Sequence, residues 1–570
     1  MAGIGEQLKE SRDALARVFD NPSLRRLNIA LGGSVIGDWA FGVAMSVYVY
    51  QRGGAATLGV FGVVRFVTMA LLSPFIAVLA DRLDRRRVML ASDLIRAGLI
   101  TISTVVVVAD GPSLVVYALA LLSSIVGLSF RPAQCAMLPS LARSPGELTA
   151  ANVASSTINS VGYFIGPLVA GVLLAVTSLS VVFALNVVSF LWSAFMIAGL
   201  RPATVAETET AIETDAEAGP AIDEPAESEP AAPISKEGMF AGVGEGFKAI
   251  LGSRDLRLIV ALYVVQTVIA GASLVFEVAI AFDLLGLAES GVGIISAALG
   301  VGGLIGGVVA LVLSVRGKLA RDFGLGVVLW GAPLLLVAAF PSLWAALLAM
   351  GLIGLGNSVV DVNAETIVQR LVPDEVLGRV FGALDAAAIG GMAIGAGLMP
   401  ILISTIGLRA GLVAIGVGTG ALVLVSIGGL VRIDRVALAP EGLELLRGVP
   451  MFALLPDNVL ELLARRSERV AVAAGDVIIE VGDQGDRFYV IEAGEVTVSR
   501  LDAPVNHLVA GDSFGEIALL RNVTRMATVT ASTPVVLRAI DRRHFIPAVT
   551  GHSDAFEQAE LVVGRYLNVA

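Results

Sequence analysis

Cysteine is almost absent from this chain of 570 residues: there is one, Cys135. A lone thiol builds neither an internal disulfide framework nor a thiolate metal site, and Cys135 reads as a small apolar residue near a helix end. Charge is scarce too, at 16% of residues against 56% hydrophobic, with a mean hydropathy of +0.83. A core of ordinary size cannot hide that much apolar surface, so lipid must solvate much of it. No basic stripe is present, which removes nucleic acid from the candidate partners. The histidines His507, His544 and His552 all fall late in the chain and show no ligand spacing. With no Gly-x-Ser-x-Gly elbow, P-loop or metal-ligand cluster, the sequence points away from an enzyme and from a metal. Residues Met1 to Arg26 are polar and lack an apolar core, so they do not read as a cleavable signal.

What is abundant is glycine, 63 residues, as in membrane bundles where small residues let backbones approach. The net charge of −11 is mostly local: Glu207, Glu209, Glu213, Asp215, Glu217, Asp223, Glu224, Glu227 and Glu229 lie between Arg201 and Lys236 with no cation among them. A span needs about 20 apolar residues. Six such runs precede the acidic stretch: Leu27–Tyr50, Leu58–Ala80, Val88–Ala109, Leu114–Phe130, Ala154–Val176 and Val181–Leu200. Six follow it: Leu258–Ala281, Val292–Val315, Leu325–Phe340, Leu343–Val360, Val380–Ile403 and Leu408–Val431. Cations gather after even-numbered spans, at Arg82 and Arg85–Arg87, then Lys236 and Lys248, then Arg316, Lys318 and Arg321; Arg52 and Arg409 are the exceptions. By the positive-inside rule both termini and the central linker face the cytoplasm of an inner, plasma membrane.

The halves echo each other. The segment Arg131-Pro-Ala-Gln134 runs on to Pro139, and Glu365-Thr-Ile-Val-Gln369 runs on to Pro373. The fold class is therefore an all-α membrane bundle of twelve helices in two six-helix halves, with a C-terminal β-roll and flanking helices. The boundaries are 1–26 for a cytoplasmic N-terminal segment, 27–200 and 256–431 for the halves, 201–255 for an acidic, disordered linker and entry segment, 432–441 for a connector and 442–570 for the roll. Within the roll, Asp476–Glu480 and Phe488–Glu492 read as strands, with helices over Leu455–Ala464 and Ala555–Leu567.

The stretch Ala77-Val-Leu-Ala-Asp81-Arg82-Leu-Asp84-Arg85-Arg86-Arg87 resembles the loop that marks the major facilitator superfamily, with Ala77 where glycine is usual. Carboxylates and guanidiniums there, with Asp385 opposite, can form exchangeable pairs that latch one conformation. Gly162-Tyr-Phe-Ile-Gly166-Pro167-Leu-Val-Ala-Gly171 resembles the family's exporter and antiporter motif, whose Pro167 removes a helix hydrogen bond. Val35-Ile-Gly37-Asp38-Trp39, Leu148-Thr-Ala-Ala-Asn152 and Gly378-Arg379 resemble the enterobactin-exporter-like branch. Asp38 lies mid-span, where a carboxylate is costly unless paired or functional. It reads either as a proton or substrate site or as half of an ion pair with Arg65, and Glu277 is a second candidate nearer a span's outer end. Asp361, Glu365 and Asp385 lie near cytoplasmic ends and read as gate or latch residues, while the pocket lining reads as apolar and generic.

The run Phe514-Gly515-Glu516-Ile517-Ala518-Leu519-Leu520-Arg521-Asn522-Val523-Thr524-Arg525-Met526 resembles the phosphate cassette of cyclic-nucleotide-binding domains, with Gly482, Gly485 and Gly494 as its glycine framework. The resemblance implies that Glu516 accepts from a ribose hydroxyl and Arg525 pairs with the cyclic phosphate. Gly515 lets the ligand approach, and Ile517, Ala518 and Met526 complete the cradle. Asn522 stands where glycine is common and tolerates the same turn. Met526 has no hydroxyl to favour guanine, so cyclic AMP is expected rather than cyclic GMP. The leading reading is a proton-coupled exporter of a small molecule, biased by cytoplasmic cyclic AMP. Its rivals are a sensor whose membrane half no longer transports, and a transporter whose appended domain is structural. Solute identity and oligomeric state stay open.

Overall fold

A helix that is apolar all round has to be buried among other helices or face lipid, and residues Met1–Val436 form a unit built of such helices. The computed structural model describes residues 20–143, 145–200, 236–314, 318–372, 374–436, 440, 442–500, 503–521, 523–552, 555–556, 558–561 and 564. The linker expected over 204–235, the first 19 residues and Asn522 lie outside the described residues.

Helix α1 runs Pro22–Arg82. Asn21 caps it, its side-chain oxygen accepting from the amides of Ser23 and Leu24 at 3.0 and 3.3 Å, and Pro22 occupies the first turn. A straight helix of 61 residues would be about 90 Å long, some three hydrocarbon cores. It is broken at Gly54, whose φ of +67° favours glycine, so it supplies two span-length arms. There follow α2 Arg85–Val108, α3 Ser113–Gly127, α4 Phe130–Leu141, α5 Pro145–Val176, α6 Leu179–Ala198, α7 Lys236–Gly252 and α8 Arg254–Ala279. Then come α9 Glu289–Ser314, α10 Leu319–Gly331, α11 Pro333–Ala339, α12 Leu343–Leu371, α13 Asp374–Ile406 and α14 Leu408–Val436. Among the described residues, eleven stretches are long and apolar enough to cross a membrane, the first of them containing the Gly54 break.

Three spans differ from expectation. The seventh does not stop at Ala281 but continues through a π-helical turn, Ile280–Leu284. The ninth is two helices, because Pro333 opens α11 directly behind α10. The tenth runs past Val360 to Leu371, which places Asp361 well inside the helix.

The two halves meet closely around one end of the bundle. Gly171 of α5 and Gly293 of α9 pack backbone to backbone; a Cβ on Gly293 would lie 2.4 Å from the Gly171 Cα. Gly59 of α1 takes Pro400 and Ala396 of α13 in the same way. Tyr50 donates to Asp283, and Gln51 donates to Glu289 at 2.8 Å, both across the halves.

The second unit, Ala437–Ala570, is a roll of two antiparallel sheets. Its strands are β1 Glu468–Val472, β2 Val477–Ile479, β3 Arg487–Ala493, β4 Val496–Arg500, β5 Ala503–Leu508, β6 Ser513–Phe514, β7 Thr528–Ala531 and β8 Val535–Asp541. The sheet orders are β1-β8-β3-β6 and β2-β7-β4-β5. Inward residues such as Ile491, Val496, Phe514, Val529 and Leu537 form the core of the roll. Helices α15 Leu443–Arg447, α16 Asp457–Arg466, α17 Glu516–Leu520 and α18 Arg542–Thr550 accompany it. Phe452, Phe488 and Phe545 bind the helices to β3, with Phe488 stacked on Phe545 at 4.7 Å between ring centres. Residues 555–556 and 558–561, within the helix expected over Ala555–Leu567, are helical.

Within the second half of the bundle, a Cβ on Gly354 would stand 1.8 Å from the Leu299 carbonyl oxygen, whereas one on Gly382 meets nothing within 4 Å. Gly354→Ala is expected to lower the detergent melting temperature of the full chain, in line with an overpacking cost of about 1–3 kcal/mol. Gly382→Ala should not lower it, since alanine favours a helix over glycine, and equal melting of the two variants contradicts the packing.

Candidate functional site

A carboxylate in the middle of a membrane helix needs a cation or a proton. Asp38 has its cation: Arg96 of α2 donates to both carboxylate oxygens, at 2.6 and 2.7 Å. The expected partner Arg65 is not the one. The Arg96 guanidinium lies 4.0 Å above the Phe190 ring, so it is held by a salt bridge on one side and an aromatic face on the other. One turn earlier, Asp93 is fully buried beside the Ser193 hydroxyl. Arg96 and Asp93 escaped the sequence reading. The available signal was an acid and a base three residues apart within an apolar run, which puts them on one helix face.

Between the halves lies a cavity of about 650 Å³. Its lining is not the apolar, generic surface expected. The first half brings Arg65, Trp39 and Tyr163 to it, and the second brings Glu277, Asp361 and Asn357. Glu277 accepts from the Ser296 hydroxyl at 2.7 Å, and Asp361 accepts from the Asn357 amide at 2.9 Å. Neither has a cation partner among the described residues. Glu277 is central rather than peripheral because its span runs on through the π turn. Asp361 belongs to the cavity, not to a gate at the membrane face. The Arg65 Nε is buried and has no hydrogen-bond partner. Trp39 meets Tyr163 edge to face, 4.3 Å between ring centres.

The glycine motif of α5 serves close packing. A Cβ on Gly162 would strike Val35 at 2.4 Å, and one on Gly166 would strike Trp39 and the Ile36 carbonyl. Pro167 lines the cavity, and Gly171 touches α9. Among the described residues, Arg85 and Arg86 of the expected latch bond within their own half. The side chains of Asp81 and Arg82 lie outside the described residues. Arg85 donates to the Ala136 carbonyl at 2.6 Å, and Arg86 to the Ile197 carbonyl at 3.2 Å and to that of Ala198, all within the first half. Asp385 has Arg131 as its neighbouring cation, not Arg85 or Arg86.

The second unit carries its own buried charges. Gly515, with φ of +96°, opens α17, and a Cβ there would sit 2.8 Å from an Arg525 nitrogen. Glu516 follows, only 4% exposed, with its Oε2 lacking any partner. Burial pushes its carboxyl up to about 7, Arg525 opposing the shift. Arg525 is 5% exposed; its Nη1 donates to the Gly515 carbonyl at 2.9 Å and its Nη2 to the Arg487 carbonyl at 2.7 Å. The backbone of the glycine loop fixes it in place, Gly482 donating to the Arg525 carbonyl and the Arg525 amide donating to Asp483. Burial pulls the guanidinium down from its usual value. Ala518 packs beneath Gly485, where a Cβ would come within 2.7 Å, and Met526 is partly exposed at the rim. A buried acceptor without a donor and a buried guanidinium held by carbonyls fit a ligand that brings a hydroxyl and an anion.

Comparison with known proteins agrees with both units. The model of the Major Facilitator Superfamily matches residues 27–322 and 278–466, and that of the cyclic nucleotide-binding domain matches 469–551. The chain is similar to the cAMP-dependent protein kinase regulatory subunit of Candida albicans, 41% identical over 95 residues, 17% of this chain and 21% of that protein. With the regulatory subunit of Eremothecium gossypii it is 38% identical over 103 residues, 18% and 22% of the two chains. It thus spans about a fifth of the length of these relatives. The regulatory domain of Toxoplasma gondii PKA, a co-crystal structure with cAMP, is 30% identical over 20% of this chain and 44% of that one, with a TM-score of 0.19. The enterobactin-exporter-like branch finds no counterpart in these matches. The chain belongs to the Major Facilitator Superfamily and carries a cyclic nucleotide-binding domain behind its membrane unit.

Proposed function

We propose that the chain is a secondary-active exporter of a small molecule, coupled to proton flux and set by cyclic AMP. In this reading the broken α1 supplies two of twelve spans, and both termini lie in the cytoplasm of the plasma membrane. The observation that carries it is the charged cavity between two halves whose contacts gather around one end. Such a bundle rocks about its central site to expose it on alternate sides. The sealed end is the outer one by the distribution of cations, so this conformation faces the cytoplasm. Asp38 and Asp93 supply the carboxylates through which a proton counterflow would pass, with Arg96 as the cation beside them. The glycine and proline motif of α5 supports export.

Cyclic AMP is favoured as the ligand by the unpartnered Glu516, the buried Arg525 and the similarity to proteins named as cAMP-dependent regulatory subunits. Glu516 would take a ribose hydroxyl and Arg525 the cyclic phosphate, while Ile517, Ala518 and Met526 line the remainder.

Alternating access is tested without knowing the solute. Ser160 lines the cavity and is exposed within it. In a Cys135→Ser, Ser160→Cys chain, a membrane-impermeant maleimide should label from either side of oriented vesicles, and cyclic AMP should change the ratio of the two rates. Labelling from one side only, under every condition, would leave a sensor that does not transport.

For nucleotide binding, calorimetry on residues 437–570 should show saturable cyclic AMP binding. Arg525→Ala is expected to weaken it tenfold or more, a charged hydrogen-bonded pair being worth ~1.5–3 kcal/mol. No heat with the unaltered fragment defeats the reading.

Glu516 gives a pH signature. Its folded value near 7 lies above the ordinary 4.5 of a glutamate, so between these the folded form holds a proton that the unfolded chain has released. Stability of the ligand-free fragment should therefore be full below pH ~4.5 and fall as pH rises towards ~7, by roughly 3 kcal/mol. Glu516→Gln should flatten that slope in melts between pH 5 and 7.5, and an unchanged slope would assign it to another group.

A further inference from the structure

Resting on the transporter reading, the cavity itself narrows the class of solute. Arg65 brings a guanidinium to the wall, with a buried Nε that has no partner, and makes no ion pair among the described residues. Asp38, whose charge acts on Arg65, accepts two hydrogen bonds from Arg96. A second acid of the first half, Asp93, is fully buried next to Arg96. A guanidinium in a low-dielectric interior needs anionic charge close by, and Arg65 has only a share of the Asp38 charge, which is paired with Arg96. From the second half, Glu277 and Asp361 reach the same cavity. Each is bonded only to neutral groups, Ser296 and Asn357. The two halves therefore present opposite charge to a shared space. Trp39 and Tyr163, edge to face, add an aromatic wall beside Arg65.

We propose that the solute is a zwitterion with a flat apolar part: an anionic group bound by Arg65, an ammonium held by Glu277 and Asp361, and a ring against Trp39. A carboxylate suits Arg65 because the planar fork of a guanidinium binds it through two parallel bonds. Two carboxylates opposite suit an ammonium, whose three donors need several acceptors. Because the charges sit on different halves, a zwitterion bridges them and draws the halves together around itself, which neither a pure cation nor a pure anion does. A volume of about 650 Å³ suits a solute of drug-like size.

Three probes sharing one fluorophore test this on the full chain in lipid nanodiscs: Nε-dansyl-lysine, a zwitterion; its methyl ester, a cation; and its Nα-acetyl derivative, an anion. Binding is read by dansyl anisotropy. The unaltered chain should bind the zwitterion about tenfold tighter than either derivative. Arg65→Gln should remove the advantage of the zwitterion over the ester while leaving ester affinity within twofold. The pair Glu277→Gln and Asp361→Asn should remove its advantage over the acetyl derivative. Equal affinity for all three probes, tighter binding of a singly charged probe, or no binding of the zwitterion overturns the proposal. The ranking on the unaltered chain decides this even where a variant does not fold. Two-sided labelling of Ser160→Cys with no preference for the zwitterion overturns the solute class alone; one-sided labelling overturns the transporter reading beneath it.

Discussion

A charge removed from water has to find a partner, and that constraint organises both units of this chain. The effective penalty is several kcal/mol per ion even after relaxation. Where the protein provides the partner, as Arg96 does for Asp38, the result is a fixed joint between α1 and α2. Where a buried polar atom is left unbonded, the site is suited to a group from outside. Arg65 in the bundle and Glu516 in the roll share this condition, each with a buried polar atom that nothing bonds. Glu277 and Asp361 are partial cases, satisfied by neutral donors but not neutralised. The functional map of the protein is in this sense a map of incomplete electrostatics.

Much of the fold was legible in the sequence because lipid imposes a length. Apolar runs near 20 residues, bounded by cations on alternate sides, place the spans without any knowledge of packing. Their ends were less legible. Glu277 looked peripheral because the apolar run fades near Ala281, yet the helix carries on through Leu284 and draws the residue inward. Asp361 looked like a gate because hydropathy drops after Val360, although Asn363, Thr366 and Gln369 remain helical to Leu371. Hydropathy reports where water begins to be tolerated. Around a polar cavity that point lies well inside the helix.

The nucleotide site was more legible than the transport site, for a reason of distance along the chain. Gly515, Glu516 and Arg525 lie within a dozen residues, so one local pattern carries the chemistry. Asp38 and its true partner Arg96 are 58 residues apart, and no spacing rule links them. Arg65 was the nearer choice and the wrong one. The latch shows a different limit. Arg85 and Arg86 were expected to pair across the halves, but here they bond the Ala136, Ile197 and Ala198 carbonyls of their own half. A sequence carries both arrangements and a structure one.

The central claim is that nucleotide and membrane conformation share one equilibrium. Linkage then requires reciprocity: if cyclic AMP shifts the bundle, a locked bundle must bind cyclic AMP with altered affinity. Tyr50 and Asp283 join the halves at the sealed end, so cysteines there, in a Cys135→Ser chain, can be bridged by a short dithiol-reactive linker. The direct measurement is cyclic AMP affinity of the full chain with that bridge closed and then reduced. A difference of roughly 5–150-fold, as expected for coupling of about 1–3 kcal/mol, is the predicted result. Identical affinities in the two states would contradict it.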